Sequence, residues 1–344
     1  MLRKIVYSLL LFGAGGSPLL GQTQYEAVCV AFYNVENLFD TLPDPAKQDD
    51  EFLPTGSKNW TSARYQQKLT RIGEVLTRMG EKLNIDAPML VGLCEVENLQ
   101  VLEDLVKSPR LADKNYGIAH YESPDERGID VALLYRKEWF KILATNSHYL
   151  ADQDFKTRNQ LVVTGQLGKD TLSVVVNHWP SRSGGQKRSE PRRMAAAQMT
   201  RQIVDSLLGR NALAKILVMG DFNDDPANKS IQEVLRANGQ REKLNAPALY
   251  NPMWEMHKQG LGTLAYRDIW QIFDQIILSP ALLSENRPGS YYYQAKSARV
   301  FAPDWMKQKE GSFQGYPWRT YVGNNYTNGY SDHFPVYLFL IKEK

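Results

Sequence analysis

The 344-residue chain has only two cysteines. That number excludes a disulfide-stapled miniature scaffold, and neither cysteine lies in a Cys/His spacing of the kind that holds zinc. Charge of one sign is also missing: 41 Lys and Arg stand against 38 Asp and Glu. A balance this close excludes a surface that is uniformly basic, so electrostatic arguments must rest on where charges cluster. No internal repeat, low-complexity tract or long linker divides the chain. At roughly 150 residues per domain the length suggests two domains, but a layered α/β unit can absorb it as one, and one catalytic domain over residues 22–344 is expected. Long apolar runs are absent too. The amino-terminal one, Ile5–Phe12, is too short to span a bilayer, which takes about 20 residues.

That run follows Arg3 and Lys4 and precedes a small, turn-forming stretch ending at Gly21, the pattern of a cleavable export leader over residues 1–21. The expectation is an exported protein, periplasmic or secreted, without stable membrane insertion after processing. Export would permit a disulfide between Cys29 and Cys94. If Asn34 and Glu95 end their strands at one level, however, the two thiols are offset by four residues, about 13 Å at strand rise, too far for a bridge.

Apolar runs rich in β-branched and aromatic residues predict strands at 26–34, 89–95, 116–121, 129–136, 160–167, 171–178, 214–221, 270–278 and 334–341. Helices are expected at 62–83, 98–107, 190–208 and 228–238. The first carries Tyr65, Leu69, Ile72, Leu76 and Met79 at alternating four- and three-residue spacing behind a Thr61 or Ser62 cap. Interleaved strands and helices favour a mixed-sheet layered α/β architecture. The Gly-, Tyr- and Asn-rich stretch from about 286 to 330 reads as an elaborated insertion.

What the strands share is their ends. Asn34, Glu36 and Asn37 follow one apolar run, Glu95 and Glu97 another, Asn177 and His178 a third, Asp221 and Asn223 a fourth; Asp332 and His333 precede the last. Asp274 interrupts an apolar run, where a carboxylate is costly unless paired. Any one such residue is ordinarily a turn or cap residue, and Asp224 and Asp225 before Pro226 fit a helix start. The set as a whole suits a hard divalent cation, Mg²⁺ or alternatively Mn²⁺ or Ca²⁺, with surplus acids and histidines left for proton transfer.

Seven ordered blocks, FYNVENL, GLCEVEN, RGIDVALLYR, NHWPSR, MGDFND, FDQIILS and SDHFPV, resemble the endonuclease/exonuclease/phosphatase superfamily, the DNase I-like fold. The resemblance implies a four-layer α/β/β/α sandwich of two mixed β-sheets flanked by helices. It implies Glu95 as principal metal ligand with Asn34, a further ligand in Asp332, and Glu36 as an auxiliary one. It places His333 at the scissile phosphate or as the group that takes a proton from water, with Asp274 orienting it, Asp221 and Asn223 on the nucleophilic water, and His178 as second histidine. Asp130 is the candidate to orient His178, with Glu126 as competitor.

Between Ser181 and Arg193 five bases face one acid, and Arg182, Lys187 and Arg188 are the candidate phosphate binders. Tyr291, Tyr292, Tyr293, Trp305, Trp318 and Tyr321 could form a stacking surface or pack in the core. The leading expectation is an exported Mg²⁺-dependent phosphodiesterase acting on nucleic acid by in-line attack of an activated water. A phospholipid, sphingomyelin or sugar-phosphate esterase is the alternative, and a catalytically silent binding protein the third class.

Overall fold

The computed structural model describes residues 24–150, 155–241, 244, 247–285 and 287–344. The leader expected at 1–21 lies outside them. Two seven-stranded sheets face each other. The first contains β1 (Tyr25–Leu38), β2 (Leu90–Val96), β3 (Tyr116–His120) and β4 (Asp130–Arg136). The second contains β5 (Phe140–His148), β6 (Gln160–Leu167), β7 (Asp170–His178), β8 (Lys215–Asp221), β9 (Ala237–Asn238) and β10 (Leu249–Tyr250). After the short hairpin of β11 (Leu264–Tyr266) and β12 (Ile269–Gln271), β13 (Asp274–Leu278) returns to the second sheet. The two-residue strands β14 (Tyr292–Tyr293) and β15 (Arg299–Val300) edge the first sheet, β16 (Tyr321–Val322) and β17 (Asn325–Tyr326) form a separate hairpin, and β18 (Val336–Glu343) closes the first sheet against β1. The orders are β14-β18-β1-β2-β4-β3, with β15 also on β18, and β5-β6-β7-β8-β13-β10-β9.

The strands are apolar on consecutive positions because both of their faces are covered. Val30 and Phe32 of β1 join Val174, Val176, Leu217 and Met219 in the core between the sheets. The alternate residues Ala31 and Tyr33 pack outward under helices α1 (Ser62–Arg78) and α2 (Leu99–Lys107). On the other side Val175, Ile216 and Val218 meet α3 (Gln186–Arg210). Helix, sheet, sheet and helix therefore stack in four layers; a last short helix, α4 (Trp254–Lys258), lies beyond β10. Among the described residues no helix is long and apolar enough to cross a membrane.

Thr61 caps α1 by accepting from the Arg64 N–H at 3.4 Å. The helix stops at Arg78, short of the expected 83, because Gly80 takes a left-handed conformation (φ 94°) just beyond its end. Helix α3 begins at Gln186, a turn before the expected start, and carries Pro191 inside it. In place of a helix at 228–238 there is one π turn at Ser230–Val234, followed by β9. Both cysteines are buried and free. Parallel pairing sets Asn34 opposite Cys94 rather than Glu95, so the offset from Cys29 is five residues, about 16 Å along the strand.

Candidate active site

Two rows of polar side chains meet where the sheets open at one end. In the second sheet, pairing places His178 (β7) beside Asp221 (β8) and Asp221 beside Asp274 (β13), one at the end of each strand. In the first sheet the regular ladder breaks just past Asn34 and Cys94: the register shifts between Asn34 and Leu38 on β1 and between Cys94 and Val96 on β2. These bulges hold Glu36, Asn37 and Glu95 at φ 52°, 54° and 61°, and Asn223 beyond β8 sits at 51°. Left-handed backbone is costly for residues with a Cβ and persists where the surroundings impose it. Asn34 joins the rows, its Nδ2 donating to Asp221 Oδ2 at 3.0 Å and to Glu95 Oε1 at 3.3 Å. Glu95 Oε2 accepts the Asn37 N–H at 3.0 Å.

The two histidines approach Asp221 through Nε2, His178 at 3.7 Å and His333 at 3.9 Å. Their environments push them apart. Burial disfavours the charged form of His333, but the Asp274 carboxylate, 2.6 Å from Nδ1, together with Asp221 and Asp332, outweighs burial and raises its pKa well above the usual range. For His178 burial acts first and the Arg158, Arg127 and His333 charges add to it, holding the ring neutral. One imidazolium and one neutral imidazole thus flank one carboxylate.

The donor set fits a hard cation. Asp221 and Glu36 are each pushed up to about 7, by burial first and then by a neighbouring acid, Asp274 for the former and Asp332 for the latter. Such crowding is relieved by positive charge. Glu95 presents carboxylate oxygens beside Asp221, its Oε1 3.9 Å from His178 Nε2, while Asn34 turns Nδ2 to both acids and accepts the Glu36 N–H on Oδ1 at 3.0 Å. Glu36 and Asp332 form a second acidic position. Glu36 Oε2 accepts the Thr320 N–H at 2.6 Å, with Lys68 Nζ at 3.9 Å, and Asp332 pairs with Arg319 at 2.7 Å. Asp221, Asp274 and His333 offer ligand atoms within 4.8 Å of one another, and so do Cys94, His178 and Asp221.

A model of the Endonuclease/Exonuclease/phosphatase family matches residues 29–342. The chain belongs to that family. Its members are divalent-metal-dependent hydrolases acting on phosphoester bonds. Among solved structures, an endonuclease/exonuclease/phosphatase family protein from Bacteroides thetaiotaomicron is 16% identical with a TM-score of 0.54, covering 92% of this chain and 98% of its own. The mannosyl-6-phosphatase Bt3783 of the same organism is 16% identical at TM-score 0.53, covering 91% and 99%. The D. rerio TDP2 complexed with single strand DNA product is 15% identical at 0.54, covering 91% and 98%. At these identities the likeness is one of fold. No curated protein gives a significant match.

Several residues take other places than their positions in the sequence suggest. Asp130 does not reach His178. It opens β4 in the first sheet, where its carboxylate meets His120 Nε2 at 3.0 Å and accepts the Ser123 N–H at 2.9 Å, whereas His178 ends a strand of the second sheet. Glu126 is exposed, with Lys156 3.7 Å away. Among the described residues His178 Nδ1 has no hydrogen-bond partner. Arg182 is not a free phosphate binder: it donates to the Asn223 carbonyl at 2.8 Å, contacts Asp224, Asp225 and Asn228, and lies over the Phe273 ring at 4.4 Å. It therefore fixes the loop that carries Asn223. Asp224, which fitted a helix start, instead anchors Arg182, Arg193 and Ser230. Lys187 and Arg188 stand exposed on the first turn of α3.

Of the aromatic set, Tyr291 and Tyr293 belong to the core between the sheets, while Trp305, Trp318 and Tyr321 belong to the cluster under α1. Residues not expected from sequence surround the acids. Arg127 donates to Asn37 Oδ1 at 2.6 Å and stands 4.0 Å from Glu95. Buried Arg158 donates to the Trp179 carbonyl at 2.7 Å, and Asn223 Nδ2 donates to the same oxygen at 3.0 Å. Arg127 lies at the edge of a recognised block, whereas Lys68, Arg158 and Arg319 belong to no motif.

Proposed function

We propose that the chain is an Mg²⁺-dependent phosphoester hydrolase that acts after export. The observation that carries the catalytic reading is the convergence on Asp221 Oδ2, which Asn34 Nδ2 approaches to 3.0 Å, His178 Nε2 to 3.7 Å and His333 Nε2 to 3.9 Å. Export rests on the leader-like residues 1–21.

In this reading Asp221, held by Asn34 and by the Asn223 N–H at 2.9 Å, takes a proton from the attacking water as that oxygen bonds to phosphorus. His333, held by Asp274, offers an N–H to a phosphoryl oxygen while the bond to the leaving oxygen breaks opposite the attack. His178 presents Nε2 from the other side. Glu95 would hold the cation, joined by Asn34 once its amide turns Oδ1 toward Glu95 in place of Nδ2, with Glu36 and Asp332 able to hold another or to steady the first. When bound, Mg²⁺ supplies positive charge to the phosphoryl oxygens.

The test is hydrolysis of bis(p-nitrophenyl) phosphate and p-nitrophenyl phosphate with Mg²⁺ by Glu95→Ala and His333→Ala. Rates should fall by at least about a hundredfold, and chelation should abolish wild-type turnover. Unchanged turnover in either variant would rule out the role assigned to that residue.

A nuclease remains the second reading. Half-exposed Arg127 and Arg319 stand beside Glu95 and Asp332, and a protein of similar fold was solved with single strand DNA product. Polynucleotide cleavage would then weaken steeply with ionic strength, whereas cleavage of a small ester would change little.

A further inference from the structure

A compartment of about 240 Å³ opens directly beside the acids. Glu36 and Asp332 form the side it shares with the site, and the remaining wall comes from the turn carrying Phe52, Lys58 and Trp60 and from the segment Arg319–Gly323 with its hairpin. Both are outside the recognised sequence blocks. The volume is below the about 300–1,000 Å³ of pockets that bury drug-sized ligands, so it suits one ring rather than a nucleotide pair.

Its lining favours hydroxyls over a flat aromatic base. The aromatic faces are already engaged. Phe52 stacks on Phe39 with centroids 4.4 Å apart and meets Trp60 edge-on at 6.3 Å. Tyr321 packs between Trp60 at 6.0 Å and Tyr326 at 5.4 Å, with Lys58 Nζ 5.4 Å from its ring. Polar capacity, in contrast, is left over. Lys58 Nζ gives one hydrogen bond, to the Gly323 carbonyl at 2.9 Å, and pairs with Glu51 at 3.7 Å, which leaves one of an ammonium's three donors. Arg319, 45% exposed, binds Asp332 through one Nη at 2.7 Å and has Nε 3.9 Å from Glu36, which leaves its other Nη. Asn37 receives Arg127 on its Oδ1, and its Nδ2 donates to no described group. Remaining donors of Lys58, Asn37 and Arg319 therefore line one small space together with the carboxylates of Glu36 and Asp332, to which Arg319 is already paired. Ring hydroxyls, each donor and acceptor at once, match such a mixture, whereas a base seeking a bare stacking platform does not.

We propose that this compartment holds the ring of a monosaccharide phosphate whose phosphate lies at the Glu95, Asp221 and His333 cluster. The assignment rests on the phosphoesterase reading above. It makes Lys58 a specificity-determining residue that acts on the alcohol part of the ester and not on the bond being broken.

Steady-state rates with Mg²⁺ would be compared for hexose 6-phosphates, p-nitrophenyl phosphate and a single-stranded oligonucleotide, in wild type, Lys58→Met and Lys58→Arg. The expected result is a hexose-phosphate kcat/KM at least about tenfold above the others. Lys58→Met should raise KM for the hexose phosphate about tenfold, the scale of one lost charged hydrogen bond, with a much smaller change for p-nitrophenyl phosphate and partial recovery in Lys58→Arg. Preference for the oligonucleotide, or an equal loss on both small esters with no recovery by Arg, would overturn the assignment. Calorimetry of hexose 6-phosphate on Glu95→Ala separates the two levels. Saturable binding combined with no wild-type turnover of any ester would sink the phosphoesterase reading and leave the compartment standing; hydrolysis of other esters without hexose-phosphate binding would do the reverse.

Discussion

Glu95 occupies left-handed backbone at φ 61°, where a Cβ is penalised, and it does so on a bulge that aims its carboxylate at Asn34 and the Asn37 N–H. The two effects can be separated. Glu95→Ala and Glu95→Gly both remove the carboxylate, so both should lose activity, but only glycine relieves the backbone. The glycine variant should be more stable than the alanine variant by about 1 kcal/mol in denaturant unfolding. Equal stabilities would mean that the bulge imposes no strain. At this scale the sequence was informative wherever residue type alone carried the signal. Acids, amides and histidines at strand ends are unnecessary for folding, and Asn34, Glu95, Asp221, Asp274 and His333 do come together. Pairing was illegible where it depended on which sheet a strand joins. Asp130 and His178 lie 48 positions apart in a chain that changes sheets between them, so His120, on the strand beside Asp130 and in no motif, had no signal to compete with His178.

Among the elements, β1 and β18 are joined outside the site by Glu26, which pairs directly across to Lys342 in the antiparallel register. Lys342 Nζ is 2.8 Å from the carboxylate, the Tyr291 hydroxyl donates to it, and the ammonium lies 4.7 Å from the Tyr291 ring. Burial raises the Glu26 pKa, but these two hydrogen bonds and the Lys342 charge more than offset it, so the carboxyl titrates below its ordinary 4.5. A depressed folded pKa means that the unfolded chain binds the proton first as acid is added. The contribution is therefore full above 4.5 and lost as pH falls through the folded value. Glu26→Gln should cost about 0.5 kcal/mol at neutral pH, a figure reduced for water screening, and the deficit should close in acid. Urea titrations of both proteins across that range check it; a deficit independent of pH would show that packing, not charge, is responsible. Strands of this kind were legible because burial on two faces makes them apolar throughout. Strand β5 was not: it is an edge strand in which Phe140 alone is buried, and FKILATNSH shows no sustained alternation. The π turn at Ser230–Val234 looks in sequence like a longer helix, because one helical turn and three differ only in the contacts at their ends, here Arg201 on the Leu235 carbonyl and Asp224 on the Ser230 hydroxyl.

For the whole molecule, the active-site geometry depends on the distance between sheets, because the Asn34–Asp221 hydrogen bond of 3.0 Å crosses from one to the other. That spacing is set close by in the core. A Cβ on Gly92, three residues before Glu95, would meet Met219 Sδ at 2.6 Å and Phe32 Cδ2 at 3.0 Å, and Met219 stands two residues before Asp221. Gly92→Ala must therefore displace Met219 or part the sheets, at about 1–3 kcal/mol for overpacking. Met219→Ala alone leaves a cavity and costs about 2–5 kcal/mol. Each change supplies the volume the other lacks, so the double variant should be more stable than the sum of the single effects predicts, a coupling of about 1 kcal/mol or more between touching residues. Activity provides the second reading of the same contact. If Gly92→Ala spreads the sheets, kcat should fall, by as much as about a hundredfold for an ångström of misplacement, and adding Met219→Ala should recover much of it. Additive stabilities with an unaltered kcat would show that Met219 yields without moving either sheet, and that the separation is fixed elsewhere in the core.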